Sequence, residues 1–205
     1  MSDLKVEIIQ AAAKLFAEKG FDKTSTREIA NLSNANISLI SYHFGGKEGL
    51  YVEVLRTFAK EIRDGLLQIA DEFERSELTR DFFIEEIGRL VMKLIELRKK
   101  HPQFCLIFAR EKIEGMPFAK DIHNETFFPL LERFVRIFKI AQEKGFVRKD
   151  VFPPLFFLFL SEGTFGFFEM TTCGLPTPNH FDVFLENPEK LRDQILSFFL
   201  RGVLL

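Results

Sequence analysis

The chain has 205 residues, 28 Lys and Arg against 30 Asp and Glu for a formal net charge of −2, and 26 Phe with no Trp. That length suits one small module plus one larger helical domain, and the near-neutral charge excludes a general electrostatic footprint for nucleic acid. Cys105 and Cys173 are the two cysteines; far apart and without metal-ligand spacing, they exclude a disulfide framework, fit a reducing cytoplasmic compartment, and read as small buried apolar residues.

The first element is a helix. MSDLKVEIIQAAAKLF has no basic leader before an apolar run, and Ile8, Ala12, Leu15 and Phe16 repeat at helical spacing, so it reads as a folded helix and not as an export signal, capped by Ser2 or Asp3 and stopped by Gly20. Ser25 with Glu28 three residues on forms a capping box for a second helix, with Ile29, Ala30 and Leu32 as its apolar stripe. Asn34 tolerates the left-handed turn that follows. Asn36 caps a third helix from Ile37 to Phe44; at about 100° per residue, Ile37, Ile40 and Phe44 share one sector while Ser38, Leu39, Tyr42 and His43 face the other way. An outward face of hydroxyls, an imidazole and a leucine, in place of charges, suits a reading surface.

The rest of the chain reads as six further helices, without a strand pattern. One runs from Lys47 to about Phe73. The next spans Thr79, as cap, to the basic Arg98, Lys99 and Lys100, whose charges suit a carboxyl end. Another opens at Pro102 and breaks near Gly115, Met116 and Pro117, and a fourth covers Phe118 to Lys144 before Gly145. Pro153 and Pro154 open a fifth that ends near Cys173 and Gly174, and Pro188 opens the last, to about Arg201. The stretch from Val151 to Phe168 is apolar, but Pro153, Pro154, Glu162, Gly163 and Gly166 interrupt it, which argues against a membrane span and for an interface.

The motif TSTREIA, then ISLISYHFGGKEGLY, together with the preceding A-x-x-L-F-A-E-K-G-F ending at Phe21, resembles the DNA-binding domain of TetR-family transcriptional regulators. The resemblance implies an all-α, nine-helix architecture: a three-helix helix-turn-helix domain over residues 1–46 and a helical effector-binding and dimerisation domain over residues 47–205. It implies that Thr26, Tyr42, His43 and Lys47 touch phosphates and that Asn36, Ile37, Ser38 and Leu39 read bases. Independently, Thr26 and Arg27 occupy the first turn of a helix, where free amides favour a phosphate, Ser38 suits a base edge, and Leu39 suits a thymine methyl. Asn34 stands where the family usually has glycine, and Leu39 is less polar than most residues at its position.

The expected partners are double-stranded operator DNA, a second copy of the chain and a small hydrophobic effector, with no cofactor, metal or membrane. The Phe-rich helices suit packing first, and beyond that an apolar effector pocket with Phe104, Phe108, Phe127, Phe134 and Phe165 as candidate lining and His123, Asn124 and Glu169 as possible polar anchors. The resemblance also places a homodimer interface on the last two major helices, with Phe156, Phe157, Leu160, Gly163, Phe167, Leu191, Ile195, Phe198 and Phe199 as candidates. No catalytic constellation appears, and Glu111 with Glu114 reads as a solvated face. The two readings are therefore a ligand-released homodimeric repressor on a palindromic operator, or a helical interaction adaptor that retains an unused helix-turn-helix.

Overall fold

The structure, a computed structural model, describes residues 3–172 and 181–205. Among the described residues it is all-helical: α1 (Asp3–Lys19), α2 (Thr26–Leu32), α3 (Ile37–Phe44), α4 (Lys47–Arg75), α5 (Arg80–Lys100), α6 (Pro102–Ile113), α7 (Lys120–Glu143), α8 (Pro153–Thr172), α9 (Asp182–Glu186) and α10 (Pro188–Arg201). These are ten helices where the sequence suggests nine. The extra one, α9, is a five-residue turn with no side-chain cap, too short to show periodicity. The end of α8 near Cys173 and Gly174, the cap at Ser2, and Cys173 itself lie outside the described residues, as does the side chain of Asp3. Cys105 is half-buried, not fully buried as its composition suggests.

The chain divides into two compact units, Met1–Ile62 with His101–Phe127, and Arg63–Lys100 with Phe128–Leu205. These units do not coincide with the boundary near residue 46 expected from the sequence, because α6 packs on α1 within the first unit. Arg110 Nη1 donates to the Phe16 carbonyl at 2.9 Å, and the Phe16 ring meets Tyr51 edge-on at 4.9 Å. Phe118 closes the same cluster at 5.2 Å from Tyr51.

Glu111 corrects the solvated-face reading. It is 1% exposed: Tyr51 Oη donates to its Oε1 at 3.0 Å, and the Phe118 and Ala119 amides donate to its Oε2 at 3.0 and 2.9 Å. Two of those donors lead into α7, so the carboxylate caps that helix from a distance. Burial first, and then the Glu111 carboxylate, pushes the Tyr51 phenol well above its ordinary range. The signal was present in α6, where Phe104, Ile107 and Glu111 follow the inward spacing of three and four. Glu114 is exposed, as expected.

The second unit is built on phenylalanine. Phe83 and Phe138 are fully buried with ring centroids 5.9 Å apart, and Phe156 packs on Phe138 at 4.8 Å. Arg133 ties α7 to α4 by donating to Asp71 at 2.7 Å and Glu74 at 2.8 Å; the Arg133 bond is the main cause that holds the Glu74 carboxyl below its ordinary range. An isolated antiparallel bridge pairs Val147 with Leu204. Among the described residues no helix is long and apolar enough to cross a membrane.

Candidate nucleic-acid interface

The first unit builds its outward face from precise punctuation. Ser25 accepts the Glu28 amide while the Glu28 carboxylate accepts the Ser25 amide, so the capping box is complete. Lys19 Nζ adds a 2.5 Å bond to Glu28; that bond and those from Ser25 hold the Glu28 carboxyl down at about 2. Thr24 is buried, its hydroxyl donating to the Gly20 carbonyl at 2.8 Å. Asn34 adopts φ +50, which supplies the tight turn where glycine is common. The Asn36 side chain then caps α3 by accepting the Ser38 amide at 3.0 Å, and Gly45, left-handed at φ +74, ends it.

Ile40 and Phe44 bury the inner side of α3, leaving Asn36, Ile37, Ser38, Tyr42 and His43 exposed. Tyr42 is 81% exposed and stands edge-on to His43 at 4.9 Å. One helical-wheel assignment needs correction: Ile37 is 45% exposed, whereas Leu39 is half-buried. The first residue of a short helix has no preceding turn to pack with, so the wheel overstates its inward tilt. Leu32 is likewise 46% exposed, not part of the α2 core stripe that Ile29 and Ala30 form.

The phosphate candidates divide. Arg27 is exposed and makes no ion pair among the described residues, and Thr26 is half-buried at the amino terminus of α2. Lys47 is committed within the fold. Its Nζ donates to the Phe21 carbonyl at 3.0 Å and sits 4.3 Å from the centre of the Phe21 ring. An ammonium so placed ties α4 to the end of the α1 loop, and position in the sequence gave no sign of that contact.

The other candidates lie apart from this face. Phe104, Phe108 and Phe127 belong to the first unit, where Phe104 stacks on Phe108 at 5.5 Å and Phe127 meets Phe108 edge-on at 5.6 Å. His123 packs against the same rings, 6.4 Å from Phe108, and Asn124 is exposed. Phe134 and Phe165 belong to the second unit: Phe134 is buried against Phe157 and Phe165 is half-buried. A groove of about 570 Å³ in the second unit is lined instead by residues such as Gly65, Gly88, Arg89, Met92, Arg192 and Leu196.

The interface candidates also sort by burial. Phe156, Phe157, Leu160 and Leu191 face their own core, and Phe167, Ile195 and Phe199 are half-buried. Phe198 and Gly163 are exposed. The apolar side of α8 that faces outward is Leu155, Leu158, Phe159 and Met170. Residues 156, 157, 160, 164 and 168 mark the opposite, inward stripe, which sequence hydrophobicity alone cannot tell from the outward one because both are apolar.

Residues 8–54 match the family described as bacterial regulatory proteins, tetR family. The chain is 30% identical over 139 residues to the HTH-type transcriptional dual regulator CecR of Shigella flexneri, covering 65% of this chain and 62% of that one. It is 25% identical over 146 residues to the HTH-type transcriptional repressor NicS of Pseudomonas putida, covering 70% of this chain and 66% of the relative. The match thus spans less than two thirds of the length of these relatives. In fold, the ketosteroid transcriptional regulator KstR2 of Mycobacterium tuberculosis superposes with a TM-score of 0.73 at 22% identity, covering 100% of this chain and 97% of that one. Residues 8–54 thus carry a domain of the kind found in tetR-family bacterial regulatory proteins, and the whole chain shares the fold of such regulators.

Proposed function

We propose that the protein is a cytoplasmic, sequence-specific DNA-binding transcriptional regulator that acts as a homodimer on a palindromic operator and is released by a small, mainly apolar effector. The observation that carries this reading is α3: capped by Asn36, ended by Gly45, packed from behind by Ile40 and Phe44, and exposing Ile37, Ser38, Tyr42 and His43. A helix so held can lie in a major groove with its first turn on base edges, while Thr26, Arg27, Tyr42 and His43 reach phosphates. With a near-neutral chain, affinity for DNA of arbitrary sequence is weak, and two copies supply the rest. The face offered to a second copy is Leu155, Leu158, Phe159 and Phe198, a revision of the sequence-based set. The aromatic clusters at Phe108 and Phe127, and at Phe134, support an apolar effector, and an effector that favours one arrangement of the dimer shifts operator affinity by the same coupling.

Selection of random duplex DNA with the purified full chain tests this. The expected result is a palindrome with half-site centres about 34 Å apart. Tyr42→Ala abolishes the gel shift, Arg27→Ala lowers the salt slope by about one phosphate per subunit, and Lys47→Met leaves that slope unchanged. Enrichment of no sequence even at low salt overturns the regulator and favours the adaptor.

A further inference from the structure

Arg98, near the carboxyl end of α5, is 5% exposed, and its Nε has no hydrogen-bond partner among the described residues. The contact described for its guanidinium is with the Phe168 ring, whose centre lies 5.8 Å from Cζ. A lysine buried this way could lose its proton, but a guanidinium cannot, so the charge must be answered by another group. Buried charges are ordinarily paired, and the same unit obeys that rule elsewhere: Glu86 holds Arg89 at 2.6 Å and Arg133 holds two carboxylates. A ring near the distance limit of a cation–π contact offsets part of the charge and accepts none of the N–H groups. On α5, Leu94, Ile95 and Leu97 are buried beside Arg98. On the other side, Phe167 meets Phe168 at 5.3 Å and Phe181 at 5.4 Å.

We propose that Arg98 is the charge anchor of a site for a small organic anion, a carboxylate on a mainly apolar body. The carboxylate accepts the unpartnered Nε–H of Arg98, and the body lies against the aromatic wall of Phe167, Phe168 and Phe181. The assignment narrows the effector class and rests on the reading of the chain as a ligand-responsive regulator. It makes Arg98 a specificity residue, since a neutral analogue of the same shape leaves the guanidinium unanswered.

The test is thermal unfolding of the full chain without DNA, with decanoate against 1-decanol and 2-naphthoate against naphthalene. At millimolar ligand, at least one carboxylate raises the midpoint by roughly 3 °C or more while its neutral counterpart does not. Arg98→Met and Arg98→Gln each abolish that difference, and Arg98→Met raises the ligand-free midpoint because an unpaired buried charge is gone. Equal shifts for charged and neutral members, no shift with either carboxylate, or a charge-selective shift that survives in a folded Arg98 variant overturns the proposal. The DNA selection described above is read separately, so loss of the regulator reading and loss of the anion site give different results.

Discussion

Set side by side, the two units treat particular buried polar groups differently: the first gathers hydrogen bonds on Glu111, Thr24 and Ser33, while the second buries one oxygen of Glu86 and the Nε of Arg98 without any among the described residues. In the second unit, large apolar side chains on α8 and α10 also face outward. On the proposed function the difference has a reason. A surface proposed to read DNA needs its helix held rigidly, so its polar groups are fixed internally, and a unit proposed to meet a ligand and a second copy keeps unmatched groups for them.

The sharpest way to break the first half of this comparison is Gly49→Ala. A Cβ there would lie 1.8 Å from the Phe44 carbonyl oxygen, so the junction of α3 and α4 cannot close. We expect a loss on the order of 4 kcal/mol in chemical unfolding and no DNA binding. Glu111→Ala follows, at about 3 kcal/mol, because it leaves the Tyr51 hydroxyl and two amides buried without an acceptor; an unchanged unfolding midpoint would show that the network is ornamental.

Acid probes the capping box. The Glu28 carboxyl is held at about 2, against an ordinary 4.5, so its contribution is complete above about pH 4.5 and is lost as pH falls through about 2. Glu28→Gln therefore differs from the parent at neutral pH and converges with it at low pH, a small effect visible in the helical circular dichroism. Phe159→Glu acts on the other half. The side chain is exposed, so the fold loses about 0.5 kcal/mol or less, while sedimentation shifts from dimer to monomer. A dimer that persists would place the interface away from the outward side of α8.

The helix-turn-helix was legible because its determinants are local. The S-x-x-E box, the Asn36 cap and the positive φ of Asn34 are decided within four or five residues, and each is found where the sequence puts it. The starts of α4, α6, α8 and α10 are likewise local, set by Lys47 and by prolines at the first turn. Apart from the exposures of Leu32, Ile37 and Leu39, what failed was long-range. Lys47 looked free because its acceptor, the Phe21 carbonyl, is 26 residues away, and Glu111 looked solvated because Tyr51 is 60 residues away.

The sequence by itself determined the helical class, the punctuation of the helix-turn-helix and its exposed face apart from Ile37 and Leu39, since caps, turns and amphipathic spacing are nearest-neighbour chemistry. Tertiary structure decided which apolar stripe of α8 is core and which is surface, which cations remain available, and that the Nε of Arg98 is buried without an acceptor among the described residues. Those outcomes depend on what packs against a side chain from distant parts of the chain, and a helix that is apolar all round carries no record of that choice.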